Sequence, residues 1–101
     1  MQVLRPLGER VVVELLAEEK TAGGLVIPDT AQGRPVRARV VAVGSGRLLE
    51  NGTRVPPEVA VDQEVLVMPD AGLPVRVQDR EYRLVRDEEI LAVLEHAPAL
   101  A

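Results

Sequence analysis

The chain contains no cysteine and a single histidine, His96. Without cysteine there is no disulfide, no thiol nucleophile, no Cys-ligated zinc and no iron–sulfur cluster. One histidine also excludes a metal site built from several histidines of one chain. Ser45 is the only serine, and nothing in the sequence brings it near His96. We therefore expect a protein that is not an enzyme and that uses no metal and no cofactor.

Aromatic residues are nearly absent, since Tyr82 is the one aromatic side chain. This excludes the aromatic platforms on which proteins stack bases. The 12 basic and 16 acidic residues give a net charge of -4, opposite in sign to a phosphate-binding surface. We therefore expect no nucleic-acid partner. The arginines at positions 37, 39, 76 and 83 alternate with apolar residues. This alternation predicts the outward face of strands and leaves open a weak phosphate-binding face.

Long apolar runs are missing as well. Arg5 and Pro6 stand where a signal peptide would need its apolar core, and no apolar run reaches membrane-spanning length. We expect a cytoplasmic protein with no membrane partner. With 101 residues the chain should form a single domain, residues 1–101.

Short β-strands separated by turns are the dominant pattern in what remains. Three stretches are dense in β-branched and aliphatic residues: Arg10 to Leu16, Val36 to Val43 and Glu64 to Met68. The second alternates apolar and charged residues, as a half-buried strand does. Eight glycines and eight prolines are scattered along the chain, which suits tight turns in one domain. The pattern predicts an all-β, antiparallel barrel or sandwich.

The sequence Glu50-Asn51-Gly52-Thr53 is the sharpest turn signal. Asn-Gly tolerates positive φ at both central positions, as a type I′ turn requires. It predicts a hairpin that joins Leu48-Leu49 to Arg54-Val55. An ordinary surface hairpin and a functional one are both compatible with this spacing.

Residues 18–35 form a long stretch of small, polar and chain-breaking residues around one aliphatic triplet, Leu25-Val26-Ile27. A loop of this length in a small domain is typically functional or disordered. The triplet is typical of a recognition motif that becomes ordered on binding. The alternative is one more short strand with Gly23-Gly24 as its turn.

The C-terminal stretch from Arg86 to Glu95 also allows two interpretations. The acidic residues Asp87, Glu88 and Glu89 favour the first turn of a helix. A turn followed by a strand fits the same residues, because periodicity does not separate the two in so short a run.

Several motifs in a fixed order resemble the GroES-type co-chaperonins, the ten-kilodalton chaperonin family. Together they cover nearly everything from Leu4 to Glu95. The motifs are Arg5 to Val11, Gly23 to Pro28, Val41 to Arg47 with Glu50-Asn51-Gly52, and Ile90 to Leu94.

The resemblance implies an irregular antiparallel β-barrel with a long mobile loop and a roof β-hairpin, assembled as a seven-membered ring. In such a ring the first strand of one subunit pairs with the C-terminal strand of its neighbour, so the C-terminus should be a turn followed by a strand. This pairing would also protect edge strands from aggregation. The inter-subunit residues implied are Val11, Val12, Val13, Leu91, Ala92, Val93 and Leu94.

The resemblance further implies a homo-heptameric co-chaperonin that caps the nucleotide-bound GroEL-type chaperonin ring and encloses a non-native substrate protein. Its mobile loop would span about residues 17–35, its roof hairpin about 46–57 and its flexible tail 97–101. The implied chaperonin-binding residues are Gly23, Gly24, Leu25, Val26, Ile27 and Pro28. The implied roof residues are Leu48, Leu49, Glu50, Asn51, Gly52 and Thr53. The alternative from another class is a small β-barrel module that binds a ligand or nucleic acid through its arginine faces.

Overall fold

The computed structural model describes residues 2–16, 18–19, 25–26 and 33–95. Gly23, Gly24, Ile27 and Pro28 of the implied loop motif, and the tail 97–101, lie outside the described residues. No helix in the described part of the chain is both long enough and apolar enough to cross a membrane.

Ten antiparallel strands and one short 3-10 helix, Asp87–Glu89, make up the described structure. Six of the strands form one sheet in the order β10-β7-β4-β1-β9-β8, while β2 pairs with β3 and β5 pairs with β6. The strands are β1 Arg10–Leu15, β2 Glu18–Glu19, β3 Leu25–Val26, β4 Val36–Val43, β5 Arg47–Leu48, β6 Arg54–Val55, β7 Glu64–Val67, β8 Leu73–Val77, β9 Arg80–Arg86 and β10 Ile90–Leu94.

The all-β, antiparallel prediction is confirmed. The three aliphatic stretches predicted as strands are β1, β4 and β7, with ends that differ by no more than one residue. In β4 the buried residues Val36, Ala38 and Val40 alternate with the exposed Arg37 and Arg39, because successive side chains of a strand point to opposite faces.

The core is built almost entirely from valine. Its buried members come from one face of β1, β4, β7 and β9. Because no described helix covers this face, the sheet has to curve around its own side chains. β-Branched side chains suit such a curved, pleated surface. The buried core residues are Val11, Val13, Val36, Ala38, Val40, Val65, Val67 and Val85.

The described ladder has two edges, β8 on one side and β10 on the other. β10 follows the 3-10 helix directly, so the acidic residues form a helical turn and the apolar residues after them form a strand. The Arg86 backbone N–H donates to Glu89 Oε1 at 2.8 Å and closes this turn. The turn-and-strand interpretation of the C-terminus is therefore confirmed.

Val11, Val12 and Val13, which were expected to pair with a neighbouring subunit, lie inside the sheet of this chain. β1 lies between β4 and β9, and all three valines have registered partners on both sides. A strand has two hydrogen-bonding edges, and both edges of this stretch are used within the chain. The three side chains are also fully buried, so they present nothing to a second copy.

Candidate functional site

The hairpin formed by β5 and β6 is fastened to the start of β1 through two glycines. The Gly44 backbone N–H donates to the Arg10 carbonyl at 2.9 Å, and the Gly46 N–H donates to the Gly8 carbonyl at 2.8 Å. A Cβ on Gly44 would collide with the Gly8 carbonyl, and one on Gly46 would collide with the Val55 carbonyl. Gly44-Ser45-Gly46 is therefore a close-packed connection between β4 and β5.

Arg54 holds the hairpin against the same connection. Its Nη1 donates to Ser45 Oγ at 3.1 Å and to the Gly46 carbonyl at 3.0 Å. The single serine of the chain thus accepts a hydrogen bond from an arginine.

The hairpin is present as predicted, but its turn is of another type. The Gly52 N–H donates to the Leu49 carbonyl at 2.9 Å, and Gly52 alone of the turn residues has a positive φ, 88°. This matches a type I turn followed by a glycine in the left-handed region, not a type I′ turn. Asn51 contributes through its side chain, since its Oδ1 accepts from the Thr53 N–H at 2.9 Å.

Aliphatic side chains remain exposed on this hairpin. Leu48 is 60% exposed and Val55 44% exposed. These two side chains leave apolar surface on the hairpin that is accessible to another molecule. Exposed aliphatics grouped on one element are more informative than a single exposed residue.

The implied mobile loop begins and ends on two neighbouring strands of the sheet. β1 pairs with β4 through Leu15 and Ala38, and the Leu16 N–H donates to the Arg37 carbonyl at 2.9 Å. Both ends of the loop are therefore held side by side. Within it, β2 and β3 form a two-stranded ladder that pairs Glu18 with Val26 and Glu19 with Leu25.

β10 offers a different kind of surface, an open strand edge. It pairs with β7 on one side, and no described strand pairs with it on the other. Leu91, in this strand, is 54% exposed. An unpaired edge with an exposed aliphatic residue is a template for adding a strand from another chain.

Comparison with known proteins agrees with these features. The family model described as the chaperonin 10 Kd subunit matches residues 3–94. The chain belongs to this family.

Two relatives illustrate how complete the match is. The co-chaperonin GroES of Anoxybacillus flavithermus is 50% identical over 93 residues, which cover 91% of this chain and 99% of the relative. The co-chaperonin GroES of Geobacillus kaustophilus is 48% identical over 92 residues, which cover 90% of this chain and 99% of the relative. The chaperonin 10 family is a family of non-enzymatic co-chaperones, and this chain is similar to both of these relatives along nearly their whole length.

Within the described residues of this chaperonin 10 family member, no group of three or more histidine or acidic side chains is arranged to hold a metal ion. The predicted hairpin residues, Leu48 to Thr53, come together as one element. Leu91 to Leu94 lie at an open edge, whereas Val11 to Val13 lie in the sheet's interior.

The arginines singled out in the sequence take different roles. Arg37, Arg39 and Arg76 are exposed on the sheet, as predicted. Arg83 is not on the outward face, because its Nη1 donates to the carbonyls of Pro69 at 2.7 Å and Ala71 at 2.9 Å. It fastens the turn before β8 instead.

Sequence reasoning missed a second group of arginines. Arg10, Arg47, Arg54 and Arg86 line one cleft at the base of the hairpin. They come from four different strands, so no local spacing in the sequence points to them.

Proposed function

We propose that this protein is the co-chaperonin that caps the nucleotide-bound ring of a GroEL-type chaperonin and encloses a non-native substrate protein. The observation that carries the proposal is the match to the chaperonin 10 family over residues 3–94. ATP is hydrolysed by the partner. The lid itself supplies binding surfaces and no chemistry.

The contact with the chaperonin is made by the loop between β1 and β4. Its docking residues are Gly23, Gly24, Leu25, Val26, Ile27 and Pro28. Two facts support this assignment: an aliphatic triplet lies in an otherwise polar stretch, and the ends of the loop lie on paired strands. Adjacent ends allow the loop to change conformation without disturbing the sheet.

A single loop of this kind binds weakly. Burying three aliphatic side chains yields roughly 5 to 8 kcal/mol. Ordering about ten residues costs on the order of 10 kcal/mol of backbone entropy. Backbone pairing and further contacts have to supply the difference, which leaves little net affinity for one loop.

Assembly into a seven-membered ring overcomes this weakness. Once one loop has docked, the others bind at high effective concentration, and avidity rises by roughly 10² to 10⁴. The open edge of β10, with Leu91 to Leu94, is the surface that we assign to the neighbouring subunit. The β5–β6 hairpin, with Leu48 to Thr53, forms the roof over the enclosed substrate.

The decisive experiment replaces one docking residue and measures capping. Val26→Asp should abolish the effect of the protein on the chaperonin's ATPase and its co-migration with the chaperonin in the presence of nucleotide. Val61→Asp is the matched control, because Val61 is half exposed in a turn far along the chain from the loop. Native mass spectrometry confirms that both variants keep the assembly state of the wild type.

Normal capping by Val26→Asp would refute the loop assignment. Failure of the wild-type protein to bind any GroEL-type chaperonin with nucleotide would refute the function itself.

A further inference from the structure

Arg10 lies directly opposite Arg86 where β1 pairs with β9. Like charges at directly opposed positions destabilise an antiparallel pair. Elsewhere in the described sheet, arginines face carboxylates or uncharged residues. Arg39 faces Glu14 and Glu64 on its two sides, and Arg76 faces Glu81. The Arg10–Arg86 pair therefore differs from the other arginine pairings of the described sheet, because it places two like charges opposite each other.

Two more arginines converge on the same place. Arg47 and Arg54, from the two strands of the hairpin, line a cleft of about 470 Å³ together with Arg10 and Arg86. We call it the arginine cleft. The two glycine contacts that fasten the hairpin to β1 also hold the cleft's two sides together.

Acidic residues do not balance this charge. Glu9 is the one carboxylate among the residues that line the cleft. Glu88 lies 4.0 Å from Arg86 Nη1 and is 71% exposed, so the pair contributes little. Within residues 2–16 and 33–95, no carboxylate oxygen comes within 4.0 Å of Arg10, Arg47 or Arg54. The chain as a whole carries a net charge of -4, so the excess of positive charge is local.

One of the four guanidinium groups is already positioned. The hydrogen bonds from Arg54 to Ser45 and Gly46 use Nη1, and its Nη2 donates to no acceptor among the described residues. Guanidinium groups bind planar pairs of oxygens on carboxylates and phosphates by two parallel hydrogen bonds. An oriented arginine loses less entropy when it binds such a group.

We propose that the arginine cleft binds a phosphate-type oxyanion that carries two or more negative charges. The anion lies between Arg10 and Arg86, where its negative charge attracts both guanidinium groups and offsets the repulsion between them. Leu48 is the one aliphatic residue in the lining, so the cleft selects charge, not apolar surface. This site is independent of the loop that contacts the chaperonin.

The test uses sodium pyrophosphate as the probe, titrated into the assembled protein at constant ionic strength. We expect saturable binding by calorimetry and a rise in the melting temperature. Arg10→Gln and Arg47→Gln should each weaken binding by about tenfold or more, because each removes a charged hydrogen-bond donor. Arg76→Gln is the matched control, since it removes the same charge from an exposed position opposite Glu81.

The Arg10→Gln variant carries a second readout. Without pyrophosphate it should melt at a higher temperature than the wild type, because the opposed charges are gone. With saturating pyrophosphate the order should reverse. Arg47→Gln, in the exposed hairpin, keeps the binding test intact if Arg10→Gln folds poorly.

Tripolyphosphate and magnesium-free ATP distinguish the source of the phosphate. If tripolyphosphate and ATP bind with equal affinity, the site recognises the phosphate groups alone. If ATP binds more tightly than tripolyphosphate, the nucleoside adds contacts. The proposal is overturned if pyrophosphate does not bind at constant ionic strength, or if Arg76→Gln weakens binding as much as Arg10→Gln does.

Discussion

Arg80 donates to Glu14 across the sheet at 2.6 Å, and Arg39 donates to the other carboxylate oxygen at 3.2 Å. One carboxylate on β1 thus connects the strands on both of its sides, β4 and β9. Its side chain is 17% exposed, so solvent screens it less than a fully exposed pair. Glu14 accordingly raises the pKa of Arg80, mainly through this hydrogen bond.

We predict that Glu14→Gln lowers the urea midpoint of unfolding, and by more at low salt than at high salt. Removing the carboxylate takes away its attraction to Arg39 and Arg80 and leaves the two arginines to repel each other. Added salt screens both the attraction and the repulsion. Glu81→Gln is the control, because Glu81 is exposed on the same sheet. Equal midpoints for the two variants at low salt would argue against a role for the bridge.

We predict that Gly46→Ala destabilises the protein more than Gly52→Ala. Both glycines have positive φ, 104° and 88°, which costs an L-residue about 1 to 2 kcal/mol. At Gly46 the new methyl group also meets the Val55 carbonyl, whereas at Gly52 it meets nothing within 4 Å. Urea unfolding measures the loss of unfolding free energy in each variant. Amide hydrogen exchange shows whether that loss of stability lies at the hairpin. A larger cost at Gly52 would mean that the hairpin is not packed against its base as described.

We predict that Leu91→Asp weakens the assembly and shifts it toward monomer. Burial of an aliphatic side chain at an interface contributes about 1.5 to 3 kcal/mol, and a buried unpaired carboxylate adds a penalty. The measurement is native mass spectrometry across a dilution series, in which the proposed ring of seven 10.9 kDa chains is the species whose dissociation is followed.

Leu73→Asp supplies the control for that prediction. Leu73 is 66% exposed and lies at the opposite edge of the sheet, in β8. If dilution dissociates both variants alike, β10 is not the specific inter-subunit edge.

We predict that Val65→Ala costs about 2 kcal/mol of unfolding free energy, from the lost methyl groups and the cavity they leave. Val65 is fully buried in β7, which lies between the edge strand β10 and β4, and it belongs to the core cluster. Val61→Ala, in an exposed turn, should cost much less. Chemical denaturation of both variants checks the difference, and similar costs would show that the valine core is loosely packed.

The sequence by itself determined the class of fold, the places of the main strands and the family. Alternation in Val36 to Val43 and the aliphatic run of β1 are local signals, because side-chain direction in a strand repeats every two residues. The Asn51-Gly52 signal likewise located the hairpin. The C-terminal segment was ambiguous because a 3-10 turn and a short strand follow each other within eight residues, from Asp87 to Leu94.

Only the tertiary structure decided which strands lie inside the sheet and which lie at its edges. Strand order depends on pairings between residues far apart in the chain, and nothing in Val11 to Val13 says whether one or both edges are used. The same reason explains why the sequence did not reveal the arginine cleft. Arg10, Arg47, Arg54 and Arg86 are scattered along the sequence, and only the pairing of β1 with β9 and the fastening of the hairpin bring their charges together.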